Sequence, residues 1–525
     1  MKIVWARWIP GRMRLLAGSL LAFALLGLVE RAAGQGYLCA EGGGSVLRGE
    51  WSGPVFSWMV DSAKPLAERD GTGVRVVVIG SREVGMPLDP AEVDPSEPPD
   101  PTSACFRDAG AAVVTQFWVN STNANEEKIA AIIGAAHIVW MRGGSQTRYV
   151  QFWKGTPIES AIRAVFERGG VVGGTSAGCA VLGEFIYDAA DGSCPPMDAL
   201  RNPYADTISF TSDFLRLTPG VIFDSHFAER ARFTRLAVFL GRIHADYDRR
   251  VVGIGLDART ALCVSPDGRA LVLGTGAATV MRITPDTRLH IARGVAPSIT
   301  DLATDQYVAG EEFDLRALVA DAAGVAPTPL AQPEITRQVD PLDRPHARGD
   351  APLHTSRGSV RIAPNQAENA VFEGTLELTD GEGLFTDGLV VVRALGAPSA
   401  RHNAAGGICW AMGTGRARWG VLLDNASAIM LDPDGVVRAY LPFGRLGAPM
   451  SAAVIAATEQ FSPGARAPTA RQVASFRGAR THILADRWGF DLRTGQGVDP
   501  AAAGPVERIS TPPATPDDAP IQAVP

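Results

Sequence analysis

The chain has 525 residues, 46% hydrophobic and 20% charged, with 49 Lys and Arg against 56 Asp and Glu for a formal charge of −7. That length exceeds what one ordinary core holds, so two domains with appendages are expected, and the apolar content excludes a disordered chain. The acidic balance argues against a general nucleic-acid binder.

At the N-terminus, Lys2, Arg7, Arg12 and Arg14 precede an apolar run over residues 15–28, and Ala32-Ala33-Gly34 offers small residues for cleavage. The pattern reads as a signal peptide over residues 1–34 and predicts an exported protein, periplasmic or extracellular, with no stable membrane insertion after cleavage. The apolar run is short for a spanning helix, although Trp5, Trp8 and the basic residues also suit a single membrane anchor. Cleavage would remove five basic groups and one acidic group, taking the formal charge to −11. Six cysteines (39, 105, 179, 194, 263 and 409) permit disulfides in an exported chain. Their spacing fits no zinc pattern, and neither a metal nor another cofactor is expected.

In chain order, residues 74–80 form a continuous apolar run of strand length. A Pro- and acid-rich loop over 87–101 leads to a strand at 111–119, a helix at 123–136 and a strand at 137–141. The clearest helix follows. Thr156 caps it, Pro157 suits its first position, Glu159 completes a capping box, and Ile158, Ala161, Ile162, Val165 and Phe166 make one apolar stripe. Strand residues Val171-Val172 then run into Gly173-Gly174-Thr175-Ser176-Ala177-Gly178. A further strand at 221–227 precedes Phe233, Leu236, Ala237 and Leu240 at helical spacing; strands at 251–256, 261–264 and 269–273 follow, with a turn at Asp267-Gly268.

Strands alternating with helices predict an α/β domain over 35–300, a mainly parallel sheet sandwiched by helices. Residues 301–358 read as linker or crossover, 359–500 as a smaller β-rich C-terminal domain with a turn at Asp434-Gly435, and 501–525 as a disordered tail.

A serine between glycines at a strand-to-helix corner suits nucleophilic chemistry. The turn pushes Oγ out of the sheet, and the following helix offers backbone N–H groups to a developing oxyanion. Such a corner also serves close packing or phosphate binding. A nucleophilic serine needs a base, and His226, at the end of a predicted strand in the same domain, is the best candidate. His137 begins a strand, and His346, His354, His402 and His482 lie outside the domain. Cys179, one helical turn past Ser176, reads as a buried thiol.

Five segments, in order, resemble the serine peptidase family of cyanophycinase and aspartyl dipeptidase. They are Gly42-Gly43-Gly44; Gly143-Gly144-Ser145-Gln146 with Thr156 and its helix; Gly174-Thr175-Ser176-Ala177-Gly178; Asp224-Ser225-His226-Phe227 with Arg230, Arg232 and Arg235; and residues 255–261. The resemblance covers residues 36–290, about half the chain. It implies an α/β sandwich of the class I glutamine amidotransferase type, Ser176 as nucleophile and His226 as general base. It further implies an oxyanion hole from backbone N–H groups of Ala177 and of Gly143-Gly144, with Gly144 taken as the donor. Gln146, Asp224, Arg230, Arg232 and Arg235 would line the pocket for an Asp-containing peptide or a cyanophycin-like polymer of β-linked Asp-Arg units. Three guanidinium groups behind the base suit substrate carboxylates.

The chain departs from the family pattern twice. Ala258 stands where the family carries the Glu of its triad, and Ser145 where it often has Asp. Asp257 is adjacent, but strand neighbours point to opposite faces, whereas Asp224 could share a face with His226. Three functions stay open: an exported serine peptidase of this type, a non-catalytic binding relative lacking the triad acid, and a dipeptidase for acidic N-terminal residues. Oligomeric state stays open too, a homodimer included.

Overall fold

The computed structural model describes residues 36–44, 51–81 and 101–324, with strands and short segments between 358 and 499. The expected signal peptide, residues 325–357 of the expected linker and the tail beyond 500 lie outside the described residues.

Two sheets carry the fold. In the first, β1 (Tyr37–Glu41), β2 (Arg75–Gly80), β3 (Val113–Trp118), β4 (Ile138–Met141) and β5 (Val171–Thr175) run parallel in the order β1-β5-β4-β2-β3. The inner strands of this row are short apolar runs buried along nearly their whole length, as parallel strands covered on both faces must be.

The covering helices are α1 (Gly53–Arg69), α2 (Pro101–Asp108), α3 (Glu127–Gly134), α4 (Gln146–Trp153) and α5 (Pro157–Glu167). Helix α1 was not anticipated from the sequence, yet it buries Val55, Phe56, Met59, Val60, Ala63, Leu66 and Ala67 at helical spacing. Helix α5 buries the predicted stripe, but its capping box is not made. The Thr156 hydroxyl donates to Trp153 O at 2.6 Å. Glu159 instead accepts from Gly155 N at 2.7 Å and from Leu215 N at 3.1 Å, tying the start of the helix to a distant loop. His137 is structural: its buried ring accepts from Arg75 N at Nδ1 (3.0 Å) and lies 3.3 Å from Asp70 at Nε2.

The second sheet has its parallel centre in β6 (Gly183–Tyr187), β8 (Thr218–Asp224) and β9 (Val252–Leu256), with β7 (Phe210–Thr211) on its edge. Antiparallel strands flank both centres. In the first sheet β10 (Thr260–Val264) pairs with β1 and then β11 (Arg269–Gly274), joined by the predicted hairpin. In the second, β12 (Ala277–Arg282) pairs with β9, β13 (Arg288–His290) with β14 (Ser298–Val308), and β14 with β12; β15 (Glu312–Asp314) returns to β11. Helices α6 (Ala177–Ala180), α7 (Pro196–Arg201), α8 (Phe233–Tyr247) and α9 (Leu315–Ala323) complete the described α/β body.

The expected boundary near residue 300 therefore falls inside a strand. The β-rich segment expected as a separate domain also continues the second sheet, because Phe476–Ala485 pairs with β14 from Ser298↔Leu484 to Gln306↔Phe476. Ser451–Pro463, Trp419–Asp424 and Leu389–Leu395 extend the row outward. Around Asp434-Gly435 the strands Ala428–Leu431 and Val436–Tyr440 pair antiparallel, as the turn predicts.

Loops leaving the C-terminal ends of β1, β4, β5, β8 and β9 hold Gly43, Gly143, Ser176, His226 and Ala258 respectively, on the carboxyl edge where open α/β sheets place their ligands. Beneath them Glu41, the last residue of β1, is 1% exposed. Burial pushes its carboxyl up to about 8, against opposing hydrogen bonds to Thr175 and Gly43. A raised folded-state pKa means that its contribution to stability is fully present below the ordinary 4.5 and is lost as pH rises through about 8. Glu41→Gln cannot ionise, so its stability relative to wild type is expected to rise by on the order of 1 kcal/mol per pH unit between pH 5 and 8. Urea unfolding across that range checks this, and a constant difference between the two proteins contradicts it.

Candidate active site

Strand β5 ends at Thr175, and Ser176 turns sharply at φ 54° and ψ −108°, a conformation a side-chain-bearing residue holds only when its surroundings impose it. Its N–H donates to Glu41 O at 3.0 Å, which fixes the corner to the end of β1. Each glycine of the motif has a steric reason. A Cβ on Gly174 would lie 2.6 Å from the carbonyl carbon of Gly178, and one on Gly178 would overlap Met141 O and come within 2.9 Å of Arg142 O. With both side chains absent, α6 sits directly on the ends of β5 and β4.

Strand β8 stops at Asp224, short of the predicted 227, because His226 turns away with φ 46°. Its N–H donates to Gly42 O at 2.7 Å, and Phe227 N donates to Leu256 O at 3.0 Å. The turn brings His226 Nε2 to 2.8 Å from Ser176 Oγ. The imidazole lies against Gly43, where φ is 109° and a Cβ would overlap the ring and stand 2.9 Å from Nδ1. Burial first, then the charges of Arg230 and Arg232, lower its pKa to about 4 against the opposing charge of Asp224. The ring is therefore neutral at neutral pH and able to accept a proton from Oγ.

Both oxyanion candidates border the nucleophile. Ala177 opens α6, so its N–H has no acceptor inside that helix. The Cβ position of Gly143 is 3.4 Å from Ser176 Cβ and 3.9 Å from Oγ, with Gly144 the next residue along. The Tyr149 hydroxyl donates to Arg142 O at 2.6 Å and pins this loop from behind.

The other predicted pocket residues divide. Arg235 is 2% exposed and donates from Nε to Asp224 Oδ2 at 3.0 Å and from Nη1 to Cys194 O at 2.8 Å, its guanidinium 5.1 Å from the Tyr187 ring centroid and 5.3 Å from that of Phe239. Arg232 donates to Asp224 Oδ1 at 3.2 Å and to Ser225 O at 2.6 Å. Asp224, Arg232 and Arg235, expected to contact substrate, thus form a buried ion cluster, since a guanidinium or carboxylate buried here without its partner would be strongly destabilising. Arg230 lies outside that cluster and is exposed, and it makes no ion pair among the described residues. It sits in the turn before α8, which starts at Phe233. Gln146 begins α4 and donates to Tyr187 O at 3.3 Å.

Ala258 is buried and offers no acid. Asp257 accepts from Ala228 N at 3.1 Å and from Ala277 N at 2.9 Å. Among the described residues no carboxylate hydrogen-bonds the His226 ring. Three site residues escaped the sequence reading as individuals: Glu41, Gly43 and Glu229. The glycine run and the three-residue spacing from His226 were the available signals. Cys179 is a buried free thiol, its pKa raised by burial, and all five described cysteines are free, Cys39 and Cys263 with Sγ atoms 4.0 Å apart; Cys409 lies outside the described residues.

Residues 102–272 match the family model described as peptidase family S51. The cyanophycinases of Synechococcus elongatus and Thermosynechococcus vestitus are each 32% identical over 165 residues, 31% of this chain and 47% of theirs. That of Trichormus variabilis is 32% identical over 166 residues, 31% of this chain and 51% of its own. The chain spans about half the length of these curated relatives. Among solved structures, a peptidase from an acI-B1 Actinobacterium matches 54% of this chain and 98% of its own, at 15% identity and a TM-score of 0.36. A putative peptidase E protein from Listeria monocytogenes EGD-e matches 44% and 94%, at 14% identity and a TM-score of 0.26.

Gly43→Ala places a methyl group in the space of the imidazole. It is expected to slow labelling of Ser176 by a fluorophosphonate by ~10²-fold, the order of loss that follows a misplaced reacting group. Stopped-time labelling followed by intact mass measures this, and an unchanged rate would show that the ring does not depend on the bare backbone beneath it.

Proposed function

We propose that the protein is an exported serine-type peptidase of the cyanophycinase kind, hydrolysing peptide or isopeptide bonds of Asp-containing substrates through an acyl-enzyme on Ser176, a reading supported by the match of residues 102–272 to the peptidase family S51 model and by the curated cyanophycinases. The observation that carries this reading is the 2.8 Å approach of a half-buried, neutral imidazole to a serine hydroxyl on a strained strand-to-helix corner. His226 Nε2 takes the Oγ proton as Oγ bonds to the scissile carbonyl carbon, and the carbonyl oxygen takes up the electron pair. Its charge falls to the N–H groups of Ala177 and the Gly143-Gly144 loop. The imidazolium then returns the proton to the leaving amine, and water repeats the sequence to release the acid.

Arg230 is the guanidinium left to pair with a substrate carboxylate, while Asp224, Arg232 and Arg235 support the turn that carries the base. The basic and apolar N-terminal sequence supports export. A cyanophycin-like polymer is the substrate in this reading, supported by the curated relatives named cyanophycinase.

Wild type is expected to be labelled by a fluorophosphonate, Ser176→Ala is not, and wild type is expected to release β-Asp-Arg from insoluble cyanophycin. Cleavage confined to dipeptides with acidic N-termini would instead favour the dipeptidase, and wild type left unlabelled would favour the binding relative.

A further inference from the structure

The catalytic pair leaves one chemical need unmet. When His226 accepts the serine proton it becomes a cation in a half-buried place, beside Arg230 and Arg232, which both disfavour that charge. A base in this position normally has an acid on its other ring nitrogen, which holds the tautomer and stabilises the imidazolium. Asp257 is held by two backbone N–H groups, and Asp224 by two arginines. Glu41 also has a buried oxygen without a partner, but it is protonated at neutral pH and brings no negative charge to the ring.

Glu229 remains. Arg230 N donates to His226 O at 3.1 Å, so Glu229 lies within the tight turn that carries the base. Glu229 Oε2 accepts from Ala258 N at 2.9 Å, while its Oε1 is buried with no partner. The imidazole rests on Gly43, whose carbonyl accepts from Arg259 N at 2.6 Å, so ring and carboxyl converge on adjacent units of one backbone junction. A buried carboxylate oxygen left without a donor is strongly unfavourable unless a donor arrives during function.

We propose that Glu229 is the positioning acid of this site, its unpartnered Oε1 taking the Nδ1–H of His226 as Nε2 receives the proton of Ser176. No proton crosses to Glu229. The imidazolium forms beside a carboxylate, and the proton leaves from Nε2 to the departing amine. Burial raises the Glu229 carboxyl, opposed by the Ala258 N–H, by its own backbone N–H and by Arg259 and Arg230; Arg232 and Asp224 also act on the ring. This inference rests on the serine-hydrolase reading.

The test compares second-order fluorophosphonate labelling from pH 4 to 9 in wild type, Glu229→Gln, Glu229→Asp and Glu41→Gln, with thermal melting as the control for folding. Glu229→Gln keeps the shape and the acceptor for Ala258 N. It is expected to label at least ~10²-fold more slowly, within the range known for loss of an orienting acid. Its acid limb should lie at lower pH than that of wild type, because the ring loses the carboxylate that favours its charged form. Glu229→Asp, which retains the charge, should recover part of the rate. Equal rates and equal limbs in wild type and Glu229→Gln would overturn the proposal, as would a loss confined to Glu41→Gln. Should Glu229→Gln melt below the assay temperature, Glu229→Asp decides: a folded protein with the wild-type rate and the wild-type acid limb overturns the role. Wild type that is not labelled at Ser176 would overturn the hydrolase reading itself, and this inference with it.

Discussion

The two carbonyl groups of Gly42 and Gly43 are the joint on which the site depends. Ser176 follows a strand of one sheet and His226 a strand of the other, so nothing within either sheet sets the distance between them. Gly42 O accepts from His226 N at 2.7 Å and Gly43 O from Arg259 N at 2.6 Å, while Gly42 N donates to Thr260 O at 2.8 Å. Two loops of the second sheet are thereby clasped to the end of β1, the strand whose last carbonyl also holds Ser176 N. Backbone bonds of this kind are short and directional, and they require glycines here because Cβ atoms would strike Asp257 O at one position and the imidazole at the other.

Around that joint the buried charges have separate structural duties. Asp224 binds Arg232 and Arg235 below the base, and Glu184 accepts from Gly220 N at 2.6 Å under β8. The Asp224 cluster supports the turn that presents His226, because each buried charge in it has a partner. The same packing lowers the basicity of the ring and strains the serine, so the site combines rigid support with groups held away from their relaxed states.

Much of this was legible in the sequence because it rests on local rules. The apolar runs of β2 and β4, the stripe of α5 and the glycines flanking Ser176 each follow from burial on two faces, helical period or a tight corner. Other features depend on distant partners. Whether Arg232 and Arg235 reach a ligand or Asp224 is decided by a turn that starts at His226 and delays α8 to residue 233, which no periodicity reports. Glu159 fits a capping box by spacing, yet Leu215, far along the chain, claims its carboxylate. The C-terminal strands read as a separate domain because strand pairing across nearly two hundred residues leaves no local trace, although Phe476–Ala485 completes the sheet begun before β14. Gly43 and Glu229 lie in plain view as residue types, but their meaning is the proximity of β1, β8 and β9 at their carboxyl ends.

The central claim is that one hydroxyl and one imidazole from different sheets act as a unit on an acyl group. Its most direct measurement is a crystal structure of the protein after reaction with a phosphonate ester. The account predicts continuous density from Ser176 Oγ to phosphorus, the phosphonyl oxygen on the N–H of Ala177 and of the Gly143-Gly144 loop, and His226 Nε2 beside the ester oxygen. An adduct on another side chain, or a Ser176 adduct with the phosphonyl oxygen turned away from both loops and His226 displaced, would contradict it.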